Sequence, residues 1–161
     1  MPETPVTAIQ AIQAILAPAV GISAVGLLLL VLNNRYSTII NRIRLLNDEK
    51  RKFSRHLGEK GDLAYPDNIR FMSITKQTEG LLIRSRIIRN SILSMQAAVG
   101  LFVLTSVTIA LNMFAATLFF KTVPLFIFVV GMISVFVGIV FYGIEVYSSY
   151  KIILLEVRGE D

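Results

Sequence analysis

The sequence predicts an all-α membrane protein: three transmembrane helices, with a cytoplasmic antiparallel helical hairpin, coiled-coil-like in its spacing, between the first and the second. Three observations predict it. The runs Thr4–Asn34, Asn90–Phe120 and Thr122–Ile144 contain no charged residue. Residues 33–90 hold 13 of the 16 Lys+Arg and 6 of the 11 Asp+Glu, a net +7, while the rest of the 161-residue chain nets −2. Within the basic block, apolar residues recur in steps of three and four, the rhythm of a helix face. Composition agrees: 54% hydrophobic, only 17% charged and a mean hydropathy of +0.66. A water-facing globule of ordinary composition carries about a quarter charged residues.

The first element, residues 1–34, combines an N-terminal segment with the first span. A helix needs about 20 apolar residues to cross the roughly 30 Å hydrocarbon core, which places the membrane part at about Ala14–Leu32. The start Met-Pro-Glu-Thr lacks the basic n-region of a cleavable signal peptide, so the span is expected to stay in the mature protein. Thr4 followed by Pro5 has the form of an N-cap with proline at the first helical position. Pro18 lies inside the helix, where proline kinks.

Residues 35–90 form the hairpin. Tyr36, Ile39, Ile43, Leu46, Phe53 and Leu57 mark the seam of its first leg, with a miss at Lys50. Phe71, Ile74, Leu81, Ile88, Ile92 and Met95 mark the second, interrupted by Thr78 and Ser85. Gly58-Glu-Lys-Gly61 and Tyr65-Pro66-Asp67 place the turn at about 58–67. Each seam is imperfect and a lone helix pair buries little surface, so neighbouring subunits of a homo-oligomer are expected to share them.

The second span falls in 91–120, its membrane part at about Ser91–Phe114. An outer turn at Lys121–Pro124 and the third span occupy 121–147, and 148–161 is a cytoplasmic tail. Lys and Arg close to a membrane stay in the cytoplasm. Arg35, Arg42 and Arg44 follow the first span and Arg84, Arg86 and Arg89 precede the second, so the hairpin is expected inside and the N-terminus outside. Arg42, Arg44, Arg84 and Arg86 are read as contacts to anionic phospholipid headgroups. The aromatic residues Tyr36, Phe53, Tyr65 and Phe71 are scattered, with no stacking platform, which excludes a nucleic-acid partner.

Glu145 is the one ionisable residue at the edge of the spans, in an inner-edge layer with Arg35 and Arg89 at the same depth; it is expected to pair with one of these arginines and so fix the bundle register. Proton relays and ion-coupled pumps use carboxylates or His deeper in the membrane. Two neutral polar faces are candidate packing seams or pore linings: Gln10, Ala14, Ala17, Gly21 and Ala24 in the first span, and Ser91, Ser94, Ala98, Thr105, Thr108 and Asn112 in the second. Gly131, Ser134 and Gly138 form a shorter one in the third. Small residues let helices approach closely and hydroxyls bond across the contact.

Catalytic chemistry finds no foothold. The chain has no cysteine and a single histidine, His56, beside Arg55; Asp48-Glu49 is followed directly by Lys50-Arg51-Lys52, as in a solvated helix. No phosphate loop or dinucleotide fingerprint occurs. No catalytic residue, cofactor or metal is expected.

Leu-Ala-Pro-Ala-Val at 16–20, then Leu-Asn-Asn-Arg-Tyr at 32–36 and Asn-Arg-Ile-Arg-Leu-Leu-Asn at 41–47 carry a resemblance. The chain resembles a family of small three-span bacterial membrane proteins catalogued only as a domain of unknown function. The resemblance implies a bacterial inner-membrane location and brings no activity with it. The function expected is that of a non-enzymatic homo-oligomer whose hairpin serves assembly or docks a cytoplasmic protein. The alternative is a small oligomeric channel lined by a neutral polar face.

Overall fold

A computed structural model describes residues 8–60, 65–114 and 122–158. They form three helices: α1 (Ala8–Lys60), α2 (Tyr65–Phe114) and α3 (Val123–Arg158). No strand occurs among the described residues. Each helix is long and apolar enough to cross a membrane. The chain is therefore an all-helical protein with three membrane-spanning helices.

Each of the first two spans continues without a break into a leg of the hairpin. Neither leg contains an internal proline, so no missing N–H interrupts the hydrogen-bond ladder at the membrane edge. Pro18 does not end α1 either, because the helix runs through it. The helices reach further into the expected 58–67 turn than its breaker residues suggested: α1 includes Gly58, and Pro66 sits in the first turn of α2, where a missing N–H costs nothing. Likewise Pro124 belongs to the first turn of α3, with Phe126 N donating to Thr122 O at 3.1 Å. The Thr4–Pro5 cap and Lys121 lie outside the described residues, as do the side chains of His56 and Leu57.

α2 is the central element, packed along both α1 and α3. Gly21 meets Phe102 near one end of the α1/α2 pair, and Glu49 meets Arg70 near the other, so the two helices are antiparallel. On α1 the buried residues Pro18, Val25, Leu32, Ile39 and Leu46 recur every seven positions, joined by Ile43. On α2 Ile74, Ile88, Met95 and Phe102 follow the same interval, with Ile92 between. One seam thus runs from the hairpin into the span, and Val25, Leu32, Ile39, Ile43, Ile88, Ile92, Met95 and Phe102 belong to one core cluster. The miss at Lys50 is filled differently: its Nζ lies 5.2 Å from the ring centroid of Phe71, a cation over an aromatic face.

α3 occupies a second side of α2. Its buried residues Pro124, Gly131, Gly138 and Glu145 again recur every seven positions. A Cβ on Gly131 would stand 2.8 Å from Phe102 Cε1, and one on Gly21 3.0 Å from Phe102 Cε2. The Phe102 ring is therefore held between α1 and α3 at two positions where only glycine leaves room, and it meets Phe128 at 5.4 Å between centroids. Ser91 Oγ donates to Gly138 O at 2.6 Å and Ser134 Oγ to Ser94 O at 2.7 Å, one bond in each direction.

Candidate functional site: a buried carboxylate between two arginines

Glu145 is fully buried, its side chain 0% exposed. It lies at the basic end of the spans, where all three helices come together. Arg84 of α2 reaches Oε1 with Nη2 at 3.0 Å and Nε at 3.3 Å, a two-pronged grip. Ser149, one turn further along α3, donates its hydroxyl to the same oxygen at 2.9 Å and accepts from Arg84 Nη2 at 2.6 Å. Arg35 of α1 brings Nε to 3.1 Å from Oε2. That N–H is not aimed along the line, so Oε2 has a cation beside it but no directed hydrogen bond. Arg35 also contacts Tyr142, with Nη1 3.5 Å from the phenol oxygen and its Cζ 5.7 Å from the ring centroid.

The arrangement joins α1, α2 and α3 through one carboxylate. Two guanidinium groups against one carboxylate leave the cluster with a net charge of +1. Its arginine side chains are 32% and 21% exposed, so the cations touch the surroundings while the anion does not. A carboxylate withdrawn from water is tolerated only when paired and hydrogen-bonded. Both conditions hold for Oε1, and charge alone serves Oε2.

Arg89 stands on an exposed face instead of joining Glu145, and Arg84, expected at the headgroups, takes its place. The reason is azimuth. Arg84 is seven residues before Ser91 and shares its α3-facing side; Arg89, five residues past Arg84, is turned about 140° away. Of the two arginines at that depth Arg35 pairs with Glu145, and depth alone does not single out Arg84 as the second cation. The seven-residue interval from Arg84 through Ser91, Ala98 and Thr105 was the signal that could have found the right one. Arg42, Arg44 and Arg86 are exposed.

Of the second-span face, Ser91, Ala98 and Thr105 are buried, and Ser94, Thr108 and Asn112 are half-buried. Ser91 and Ser94 lie in the α2/α3 contact. The threonine hydroxyls are spent locally: Thr105 donates to Leu101 O at 2.8 Å and Thr108 to Leu104 O at 2.6 Å. In the first span the stripe that packs on α2 is Pro18, Val25 and Leu32; Gln10, Ala14, Ala17 and Ala24 are exposed, and only Gly21 of that face is half-buried. The intra-chain contact prefers the bulkier neighbours because they fill the groove beside Phe102 and Met95.

Among the described residues no group of three His, Cys, Asp or Glu could hold a metal. An open groove of about 420 Å³ lies along the hairpin, lined by Asn47, Lys50, Arg51, Ser54 and Phe71.

Residues 15–155 match the family described as "Protein of unknown function (DUF2721)", and the chain belongs to that family. No curated protein and no solved structure shows a significant match to it.

Proposed function

Taking that family membership and the Glu145 cluster as the starting point, we propose that the chain is a non-enzymatic, homo-oligomeric protein of the bacterial cytoplasmic membrane. The basic hairpin lies on the cytoplasmic side and serves assembly or docks a cytoplasmic protein; the N-terminus is outside and the C-terminus inside. The arginine count at the two ends of the spans supports this orientation. The Glu145 cluster makes the hairpin a stiff continuation of the membrane bundle, because the same carboxylate ties both legs to α3. A rigid projection can transmit position between a membrane assembly and a partner.

The observation that carries self-association is the uncovered face of α1. Ala14, Ala17 and Ala24 are small, share one side of the helix and are exposed, and only 17% of the most apolar stretch of α1 is buried within the chain. Small residues at such spacing let a second helix approach closely in lipid. The chain has no cysteine, so Ala17→Cys introduces a unique thiol. Oxidation in native membranes is expected to give disulfide-linked dimers from Ala17→Cys and none from a control at Met132, an exposed site on α3. Monomers throughout, confirmed by single-step photobleaching of a labelled chain, would overturn the reading.

One observation keeps the channel alternative, and it restricts it. Two of the three most deeply buried members of the second-span polar face, Ser91 and Thr105, have hydroxyls bonded inside the chain, so a pore would be lined by the uncovered α1 face. Purified protein in planar bilayers is the test. Ion conduction that changes on Ala17→Phe supports the pore, and electrical silence of inserted, folded protein removes it.

A further inference from the structure

α2 has three sides with heptad spacing, and the chain covers two. The third carries Arg86, Arg89, Leu93, Gln96, Gly100 and Val103, in alternating steps of three and four, and every one of them is exposed. We propose that this open stripe is a binding site for one anionic phospholipid, its phosphate held by Arg86 and Arg89. The inference rests on the membrane placement above but not on self-association.

Charge carries the argument. Arg35 and Arg84 at the same membrane edge share the Glu145 carboxylate, and Arg70 further out pairs with Glu49. Arg86 and Arg89 pair with no carboxylate among the described residues. Three residues apart on a helix, they are neighbours of like sign, about 5–6 Å between Cβ atoms, and such a pair repels itself unless an anion sits between. At the headgroup layer that anion is a phosphodiester, which guanidinium forks match in shape.

Gln96 supplies the second contact. Its carboxamide is exposed and makes no hydrogen bond among the described residues, although it lies past Ser91, where the hydrocarbon is expected to begin. An unpartnered amide there is costly. Seven residues above Arg89, its Cα is about 10 Å further into the bilayer, and helical side chains tilt back toward the N-terminus. The amide N–H therefore points to the level of a glycerol ester carbonyl whose phosphate rests on the arginines. Beyond it, a Cβ built on Gly100 meets nothing within 4 Å, so an acyl chain can lie directly against the open helix surface there.

Native mass spectrometry of the full chain, released from vesicles of phosphatidylglycerol and phosphatidylcholine with matched acyl chains, tests the site. The expected result is one phosphatidylglycerol retained in preference. Arg86→Gln/Arg89→Gln is expected to lower that retention about 10- to 30-fold, from roughly one headgroup attraction lost per arginine, and Gln96→Leu a few-fold. The charge-matched control Arg51→Gln/Arg55→Gln, remote from the membrane edge, is expected to retain the lipid as wild type does. The changed positions of all three variants lie on exposed helix faces, and circular dichroism checks that the proteins stay folded. Equal loss in both double variants, or equal retention of the two lipids, overturns the proposal in favour of a diffuse basic belt. Displacement of the lipid by millimolar inorganic phosphate overturns the lipid as ligand. Disulfide-linked dimers from Gly100→Cys in membranes overturn it in favour of a second copy on this face. Failure of the Ala17→Cys dimer test leaves lipid retention unaffected, so the two readings fail separately.

Discussion

Glu145→Gln separates the charge of the buried carboxylate from its shape. The amide keeps one carbonyl oxygen for Arg84 or Ser149 but places an NH2 where the other oxygen stood, facing a guanidinium that can only donate. Two cations then remain beside a neutral group. Unit charges about 4 Å apart attract by roughly 4 kcal/mol at an effective dielectric near 20, and removing one partner of a fully buried pair costs about 3–5 kcal/mol. Here the arginine side chains are 32% and 21% exposed, so both cations recover part of that loss from water or headgroups. The expected loss is about 2–3 kcal/mol of folding free energy, a roughly 30- to 150-fold shift in the equilibrium. Reversible unfolding in mixed detergent micelles, followed by helicity, measures it. Interhelical hydrogen bonds in a membrane average only about 0.6 kcal/mol, so a loss no larger than that would refute the claim that charge holds the helices at this point. Adding Arg84→Gln to Glu145→Gln is expected to recover part of the loss, since it removes one stranded cation.

Other outcomes follow from the same contacts. Arg84→Gln is expected to destabilise more than Arg35→Gln in that assay, because Arg84 grips Oε1 with two nitrogens whereas Arg35 meets Oε2 without a directed bond. Gly131→Ala is expected to cost about 1–3 kcal/mol, since the added Cβ falls 2.8 Å from a ring that Gly21 already confines on its other side. Gly143→Ala, where a Cβ meets nothing within 4 Å, is expected to be neutral or slightly stabilising. Phe102→Ala is expected to lose about 3–5 kcal/mol and to loosen α1 and α3 together, read as faster hydrogen exchange in both spans.

The layout was legible because it is written in coarse signals. Charge-free runs of membrane length fix where helices cross, and steps of three and four predicted the seam residues Ile39, Ile43, Leu46, Ile74, Ile88, Ile92 and Met95, all of them buried. The candidate site was harder to read, because depth and azimuth are separate coordinates. Counting residues from the charge-free runs placed Arg35, Arg89 and Glu145 in one layer, but only the angular position around α2 distinguishes Arg84 from Arg89. The same blindness affected the first span. Ala14, Ala17 and Ala24 form a tidy small-residue face, yet the intra-chain contact uses Pro18, Val25 and Leu32, about one fifth of a turn away. Small residues mark where close approach is allowed, and they do not say which neighbour makes it. Tyr142 could not be assigned to the cluster from sequence, since its partner Arg35 lies on another helix, whereas Ser149, four residues after Glu145 on α3, was within reach of the helical spacing.

α2 carries polar groups on two of its three sides, and its neighbours decide which. A helix with one neighbour can leave the rest of its surface to lipid, but α2 must meet α1, α3 and the membrane in succession around its axis. Toward α1 it presents Ile88, Ile92, Met95 and Phe102, since bulk is needed to fill that seam. Toward α3 it presents Arg84, Ser91, Ala98 and Thr105, small or hydrogen-bonding groups that admit Gly131 and Gly138 of α3 and hold the Glu145 carboxylate. Toward the outside it presents Arg86, Arg89 and Gln96, which the chain leaves without a partner among the described residues. Only 28% of the most apolar stretch of α2 is buried, although α2 has two helical neighbours. Polar groups on the α3 side are matched within the chain, so the unmatched ones on the third are where a ligand has the most to contribute. Arg86 and Arg89 are therefore the pair to change first, ahead of the more numerous arginines of the hairpin.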